Sequence, residues 1–238
     1  MIVRSAVRPT GGCRQSPADT LECAGGARHP CRRKREAGFR MIIDTQLNDG
    51  TPICIRTLRR DDEALLRAGI ARLSPHSRYL RFFSGMREPP QGVIDKLLDV
   101  DGHDHIAWGA IRIDLAERPA LGVVHAFRDA TRPDRAEFSV AVIDDYHGLG
   151  LARLLTATLL HDCRREGLET LSVSILPENA GAIRLTRLLG GHRTEQFGGE
   201  RGEVAEFDID IDEALESLRR DGTTKGLAAV FEAFGRAD

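Results

Sequence analysis

The chain is predicted to form a mixed α/β domain, a mixed sheet flanked by helices. Three observations predict it. Apolar residues switch between the alternating spacing of strands and the 3.6-residue spacing of helices. The resulting order is a few strands in series, then strand–helix–strand–helix–strand–strand. Gly and Pro punctuate the segments at the expected breaks. A hydrophobic fraction of 41% and a charged fraction of 29% are ordinary for a globular protein.

The first predicted element is a strand at 53–58 (Ile-Cys-Ile-Arg-Thr-Leu). A helix over 61–73 follows, with apolar residues at Leu65, Leu66, Ile70 and Leu73. Pro75 is well placed to open a second helix through Phe82 and Phe83, and Pro89-Pro90 ends that segment. A short helix is expected at 91–99, with strands at 105–113 and 120–127 and a turn at 129–135. The next strand, 136–143, runs into a glycine turn and a helix from Gly150 to about Arg165. Leu151, Leu154, Leu155, Thr158 and Leu159 form that helix's inner face, and Gly167 stops it. A strand at 169–175, a helix from Asn179 to Leu189 and a hairpin of 193–197 with 203–209 complete the sheet. Asp212 to Arg219 reads as a helix, and the pattern beyond it is weak.

The first forty residues differ in kind. Nine basic side chains stand against three acidic ones, a net +6, which leaves −8 for residues 41–238 of a chain whose total is −2. With no strand or helix period, residues 1–40 are expected to be a disordered basic extension, and Met41 is a candidate start of the natural protein. Arg32-Arg33-Lys34-Arg35 is read as part of that tail, and no nucleic-acid partner is expected. Residues 41–211 are taken as the main domain and 212–238 as a C-terminal helix and tail. No apolar run approaches the about 20 residues of a membrane helix, so no membrane association is expected. Cys54 and Cys163, the cysteines beyond Met41, sit in apolar patterns and are read as buried thiols. That usage fits the cytoplasm. Asp101-Gly-His103-Asp104-His105 has metal-binding residue types but no third ligand nearby, so it is read as a polar loop and no metal is expected. Trp108 and the Phe82-Phe83 pair are read as core.

The functional signal lies in Ala136-Glu137-Phe138-Ser139-Val140-Ala141-Val142-Ile143 and the following Asp144-Asp145-Tyr146-His147-Gly148-Leu149-Gly150-Leu151-Ala152. A helix N-terminus has unpaired N–H groups and a partial positive charge. Gly148 and Gly150 lack a Cβ, so an anion can approach those groups closely. A dinucleotide site is disfavoured, because Arg153 stands where a small residue must pack and Glu169 falls at the start of the next strand rather than its end. A Walker loop is excluded by the missing Gly-Lys-Ser/Thr.

His147-Gly148-Leu149-Gly150-Leu151-Ala152 resembles the pyrophosphate loop of the GNAT N-acetyltransferases, with His147 departing from the usual Gln or Arg. Asn179-x-x-Ala182-x-x-Leu185-x-x-x-x-Gly190 is similar to a second helix of that family. The resemblance covers residues 53–211. Leu73 to Phe83 and the Glu137 strand look most like the acetyltransferase domain of bacterial protein-lysine acetyltransferases. The resemblance implies a GNAT fold, a mostly antiparallel mixed sheet of six to seven strands whose splayed pair binds acetyl-CoA. It implies that the N–H groups of Gly148, Leu149, Gly150, Leu151 and Ala152 hold the pyrophosphate, with His147, Arg153 and Asn179 beside it. Backbone groups of Val140 and Val142 would pair with the pantetheine arm and polarise the thioester. Arg153, Arg184 and Arg187 are either ribose-phosphate ligands or solvated helix arginines. Glu137 is the candidate general base, and a cross-strand ion pair is its structural alternative. The implied acceptor is an amine, a protein lysine first and a small-molecule amine second. Thr186 stands where many of these enzymes have a tyrosine acid, which keeps open a domain that senses acetyl-CoA without transferring it. Oligomeric state is not read from the sequence.

Overall fold

Strands β1 (Ile42–Gln46), β2 (Pro52–Thr57), β3 (His105–Arg112), β4 (Ala120–Arg128), β5 (Arg135–Val142), β6 (Thr170–Ile175), β7 (His192–Arg193) and β8 (Ala205–Asp210) form one sheet, ordered β1-β2-β3-β4-β5-β6-β8-β7. The structure is a computed structural model that describes residues 41–82, 88–194 and 204–236. The basic extension 1–40, Phe83 and the bend of the last predicted hairpin therefore lie outside the described residues. The mixed, mostly antiparallel sheet is as expected, with β5–β6 the parallel pair. The eight strands exceed the expected six to seven through β1. Its alternation is carried by one inward apolar side chain, Ile43, while Ile42 is exposed, so the pattern is too short to read from sequence.

Helix α4 (Leu151–Arg165) packs across β3, β4 and β5. Its predicted inner face is buried, and each fully buried leucine contributes about 1.5–3 kcal/mol. Ala157, Leu160 and Cys163 are buried as well, because α6 (Ile211–Arg220) and α7 (Leu227–Gly235) cover the helix's outer side. Leu215, Leu218, Leu227, Val230 and Phe234 join the same core as Trp108, Phe138 and Val140. The buried hydroxyls of Thr156 and Thr158 donate to the carbonyls of Ala152 and Leu154, four residues back, which satisfies them. Trp108 donates its indole N–H to Asp162 at 3.0 Å.

Helices α1 (Glu63–Arg72), α2 (Pro75–Phe82) and α3 (Gln91–Leu98) form a separate cluster in which Leu66, Ile70, Ile94 and Leu97 meet Phe82 and Phe127. Ser74 accepts from the Ser77 N–H and Pro75 occupies the first helical turn, so α2 starts where the proline predicts. One carboxylate ties this helix to the end of β5. Asp144 accepts from the Ser74 N–H at 2.9 Å and from the hydroxyls of Ser74 and Ser77 at 2.8 and 2.7 Å. Burial pushes the Asp144 carboxyl up, but the Ser74 N–H and then the Ser77 and Ser74 hydroxyls outweigh it and hold the group at about 2.

A carboxyl depressed in the folded state stabilises the fold above its unfolded pKa and stops doing so as pH falls through the folded one. Asp144→Asn is expected to cost on the order of 1–2 kcal/mol near neutral pH, allowing for solvent screening at a half-buried site. Urea titrations should show the gap between wild type and variant closing as pH falls from about 4 toward 2.

Candidate active site

The parallel ladder between β5 and β6 lasts three pairs, Arg135–Thr170, Ala136–Leu171 and Glu137–Ser172, and then the strands part. Beyond the parting, β5 stays paired to β4 and β6 to β8. The Ile143 N–H donates to Leu121 on the β4 side at 2.9 Å. Backbone direction alternates along a strand, so the N–H and C=O of Val140 and Val142 point the other way, into the gap. Their side chains are buried against the α4 side of the sheet. The two predicted strand residues thus turn their backbone, not their side chains, toward the gap.

The gap leads to the glycine turn. Gly148 and Gly150 have φ of 78° and 87°, a left-handed conformation that strains other residues. At Gly148 a Cβ would meet open space, whereas at Gly150 it would lie 2.8 Å from Thr224 Cγ2. Helix α4 has no side-chain cap, and its first backbone bonds run from Arg153 and Leu154 to the Gly150 carbonyl. The N–H groups of Leu151 and Ala152 lie ahead of that ladder, next to Leu149 and the glycines. His147, the residue that departs from the family signature, donates from Nε2 to the Val142 carbonyl at 2.9 Å and fastens the turn to β5. Behind the turn, the Asn48 N–H donates to the Leu149 carbonyl at 3.0 Å. The Arg153 guanidinium is held by Asp221 at 3.1 Å and by the hydroxyls of Thr223 and Thr224. Arg184 and Arg187 are exposed on α5 (Ala180–Leu188).

At the other end of the gap, Glu137 lines a groove of about 440 Å³ with Glu206 and Asp208 and with the basic Lys96, Arg128, Arg132 and Arg135. The arginines of the neighbouring turn have their own partners. Arg135 pairs with Asp208, Arg132 with Asp129 at 3.5 Å, and Arg128 donates to the carbonyls of His103 and Glu166. Arg81 of α2 interacts electrostatically with Glu137 as well. Burial pulls that guanidinium down to about 10, while Glu137 pulls it back up. It is a cation at neutral pH.

Asn179, predicted beside the cofactor, caps α5 by accepting from the Ala182 N–H at 3.1 Å, which accounts for the Asn-x-x-Ala spacing. Thr186 is fully buried on the same helix. His103 and His105 do not converge, since His103 pairs with Glu166 at 2.7 Å and His105 bonds the Asp99 carbonyl and His125. Sequence reasoning brought Glu137, the Val140–Val142 edge and the glycine turn to one site. It passed over Arg81, His125 and Ser139. Arg81 was legible only as a charge on the buried face of an amphipathic helix, and His125 as a histidine within an apolar strand.

The described residues contain no helix long and apolar enough to cross a membrane. Residues 59–190 match the model of the Acetyltransferase (GNAT) family. The chain is 33% identical over 121 residues to an acetyltransferase of Pseudomonas aeruginosa, covering 51% of this chain and 64% of that one. It is 26% identical over 202 residues to the acetyltransferase Pat of Mycolicibacterium smegmatis, covering 83% of this chain and 60% of that one. It thus spans less than two thirds of either relative. The GNAT domain of S. lividans PAT superposes with a TM-score of 0.64 at 22% identity, over 71% of this chain and 96% of that one. A cAMP-binding acyltransferase from Mycobacterium smegmatis superposes at 0.51 with 19% identity, over 82% and 56%. With the splayed strands, the glycine turn and a family match over more than half its length, the chain belongs to the GNAT acetyltransferase family.

Proposed function

We propose that the domain transfers an acetyl group from acetyl-CoA to a primary amine, a protein lysine, with Glu137 as general base. The observation that carries this reading is the succession, along one strand, of a carboxylate in a groove, a β5 edge that β6 leaves beyond Glu137, and the glycine turn at the α4 N-terminus. The residues fit acetyl-CoA. The first-turn N–H groups of α4 suit a pyrophosphate without a metal. The β5 edge suits the amide arm, and a bound thioester supplies the activated acetyl group. A lysine amine, with a pKa of about 10.4, arrives protonated. Glu137 removes that proton through water and frees the nitrogen lone pair to attack the carbonyl. The Val140 N–H then stabilises the developing oxyanion, and the CoA thiolate leaves without needing an acid. The net −8 of residues 41–238 favours a cationic acceptor. The likeness of Leu73 to Phe83 and of the Glu137 strand to bacterial protein-lysine acetyltransferases, beside a relative named acetyltransferase Pat, supports a protein lysine over a small amine.

A second reading, an acetyl-CoA sensor, is favoured by one observation: the buried Thr186 offers no side-chain acid. Thiol release from acetyl-CoA over a panel of lysine peptides and small amines, beside calorimetry, separates the two. Binding without release to any acceptor would establish the sensor.

Glu137→Gln should lower turnover about 10²-fold or more while the calorimetric affinity for acetyl-CoA stays within about twofold. Equal turnover would remove Glu137 from the chemistry. At Gly148, both Asp and Asn tolerate the left-handed conformation. Gly148→Asp should weaken acetyl-CoA binding at least about tenfold by repelling the pyrophosphate, and Gly148→Asn distinctly less. The two variants should melt at similar temperatures in thermal scans.

A further inference from the structure

The sheet face that carries Glu137 also buries two histidines that the reaction above does not use. His105 on β3 and His125 on β4 are 5% and 1% exposed. The His105 Nδ1 lies 3.1 Å from the Asp99 carbonyl oxygen, and its Nε2 lies 3.0 Å from the Nδ1 of His125. A carbonyl only accepts, so His105 carries its hydrogen on Nδ1. A neutral imidazole has a single N–H, so the His105 Nε2 accepts from the His125 Nδ1–H. The Nε2 of His125 is left as a bare lone pair. The tautomer of each ring follows from the one before it, starting at a main-chain carbonyl. Burial keeps both rings neutral. It lowers the His105 pKa, and together with His105 and the Arg81 charge it drives His125 well below the usual histidine range.

That lone pair has no hydrogen-bond partner among the described residues, and neither has the hydroxyl of Ser139. Ser139 is also fully buried and stands opposite His125 in the β4–β5 ladder. The pair shares main-chain bonds, which sets its Cα atoms about 5.5 Å apart. Glu137 is two residues back on the same face, and Arg81 acts electrostatically on both Glu137 and His125. Two buried polar atoms on neighbouring residues of one sheet face, both without partners, call for an ordered water.

We infer that His125 is a positioning residue, locked in its Nδ1–H tautomer by His105, which with Ser139 holds the water that carries the acceptor's proton to Glu137. The inference rests on Glu137 being the base. The water donates one hydrogen to His125 Nε2 and the other to the Glu137 carboxylate. It accepts from the Ser139 hydroxyl, so its remaining lone pair faces the incoming ammonium. As an ammonium N–H bond breaks, a new water O–H bond forms. The water's hydrogen on the Glu137 side passes to the carboxylate, and the electron pair left on nitrogen attacks the thioester carbonyl. Neither histidine changes its protonation state.

Two measurements test this. Nitrogen NMR of the histidine-labelled full chain, with no acceptor present, should show His125 as the neutral Nδ1–H tautomer from about pH 6 to 9, the range where an ordinary histidine titrates. His105→Phe should release that tautomer. A hydrogen on Nε2, or a ring that protonates in that range, overturns the lock. Thiol release with poly-L-lysine as acceptor should fall roughly 10- to 100-fold in kcat for His125→Phe, the cost of a misplaced reacting group. The KM for acetyl-CoA should be unchanged, and His125→Gln, which restores an acceptor atom, should recover part of the loss. Full kcat in His125→Phe beside an inactive Glu137→Gln would overturn the water-holding role and leave the base in place. An active Glu137→Gln would overturn both. Should His125→Phe not fold, Ser139→Ala carries the same comparison.

Discussion

The structure turns on a failure of pairing. After Ser172, β6 no longer meets β5: the backbone groups of Val140 are turned toward a strand that is not there, and the Val142 carbonyl takes the His147 imidazole instead. An unmet main-chain edge inside a domain is costly, and the surrounding elements hold it open. β5 keeps seven paired positions with β4, and β6 keeps six with β8. Phe138, Val140 and Val142 bury their side chains under α4, so β5 cannot slide across to close the gap. An extended ligand carrying amide groups would complete the ladder. The same edge, followed onward, reaches the N-terminus of α4, which opens through two left-handed glycines.

That N-terminus is braced from behind by segments remote in sequence. Asn48 in the β1–β2 turn bonds the Leu149 carbonyl and accepts from the Lys225 N–H. Thr224 closes on Gly150, and Asp221 takes the charge of Arg153. The residues past 211 therefore shape the glycine turn, although none of them belongs to its motif. Arg153 is paired within this brace, and the backbone N–H groups of the turn carry positive character of their own. Main-chain donors held rigidly lose little freedom on meeting an anion, whereas a long side chain would have to be ordered first.

Much of this was legible in the sequence where a period or a glycine carried the information. The α4 face, the Pro75 start of α2 and the glycine turn follow from side-chain spacing and backbone preference alone. What was not legible depends on partners distant in the chain. β1 has one inward apolar residue, and α7 is apolar on nearly every face because α4, α6 and β1 surround it, so neither shows a clean period. Arg153 reads in the sequence as a ribose-phosphate ligand or a solvated helix arginine, and its pairing with Asp221 depends on a segment about seventy residues away. Asn179 looks like a site residue, and its capping of α5 explains the same spacing. His125 is unremarkable in sequence, because its meaning comes from His105, twenty residues earlier, and from a carbonyl at Asp99.

The two faces of the sheet follow different rules. Toward α4, the alternate residues Ala136, Phe138, Val140 and Val142 are apolar and closely packed. On the other face the same strand offers Arg135, Glu137 and Ser139. There Arg135 Nε, Ser139 Oγ and, across the ladder, His125 Nε2 are buried without hydrogen-bond partners among the described residues. Leaving a buried polar atom unmet costs about 1–3 kcal/mol. The three atoms lie within two strand positions of Glu137 or directly opposite such a position, and a fully buried Arg81 adds a charge beside them. On this face, polar atoms without protein partners thus gather around one carboxylate, that of Glu137.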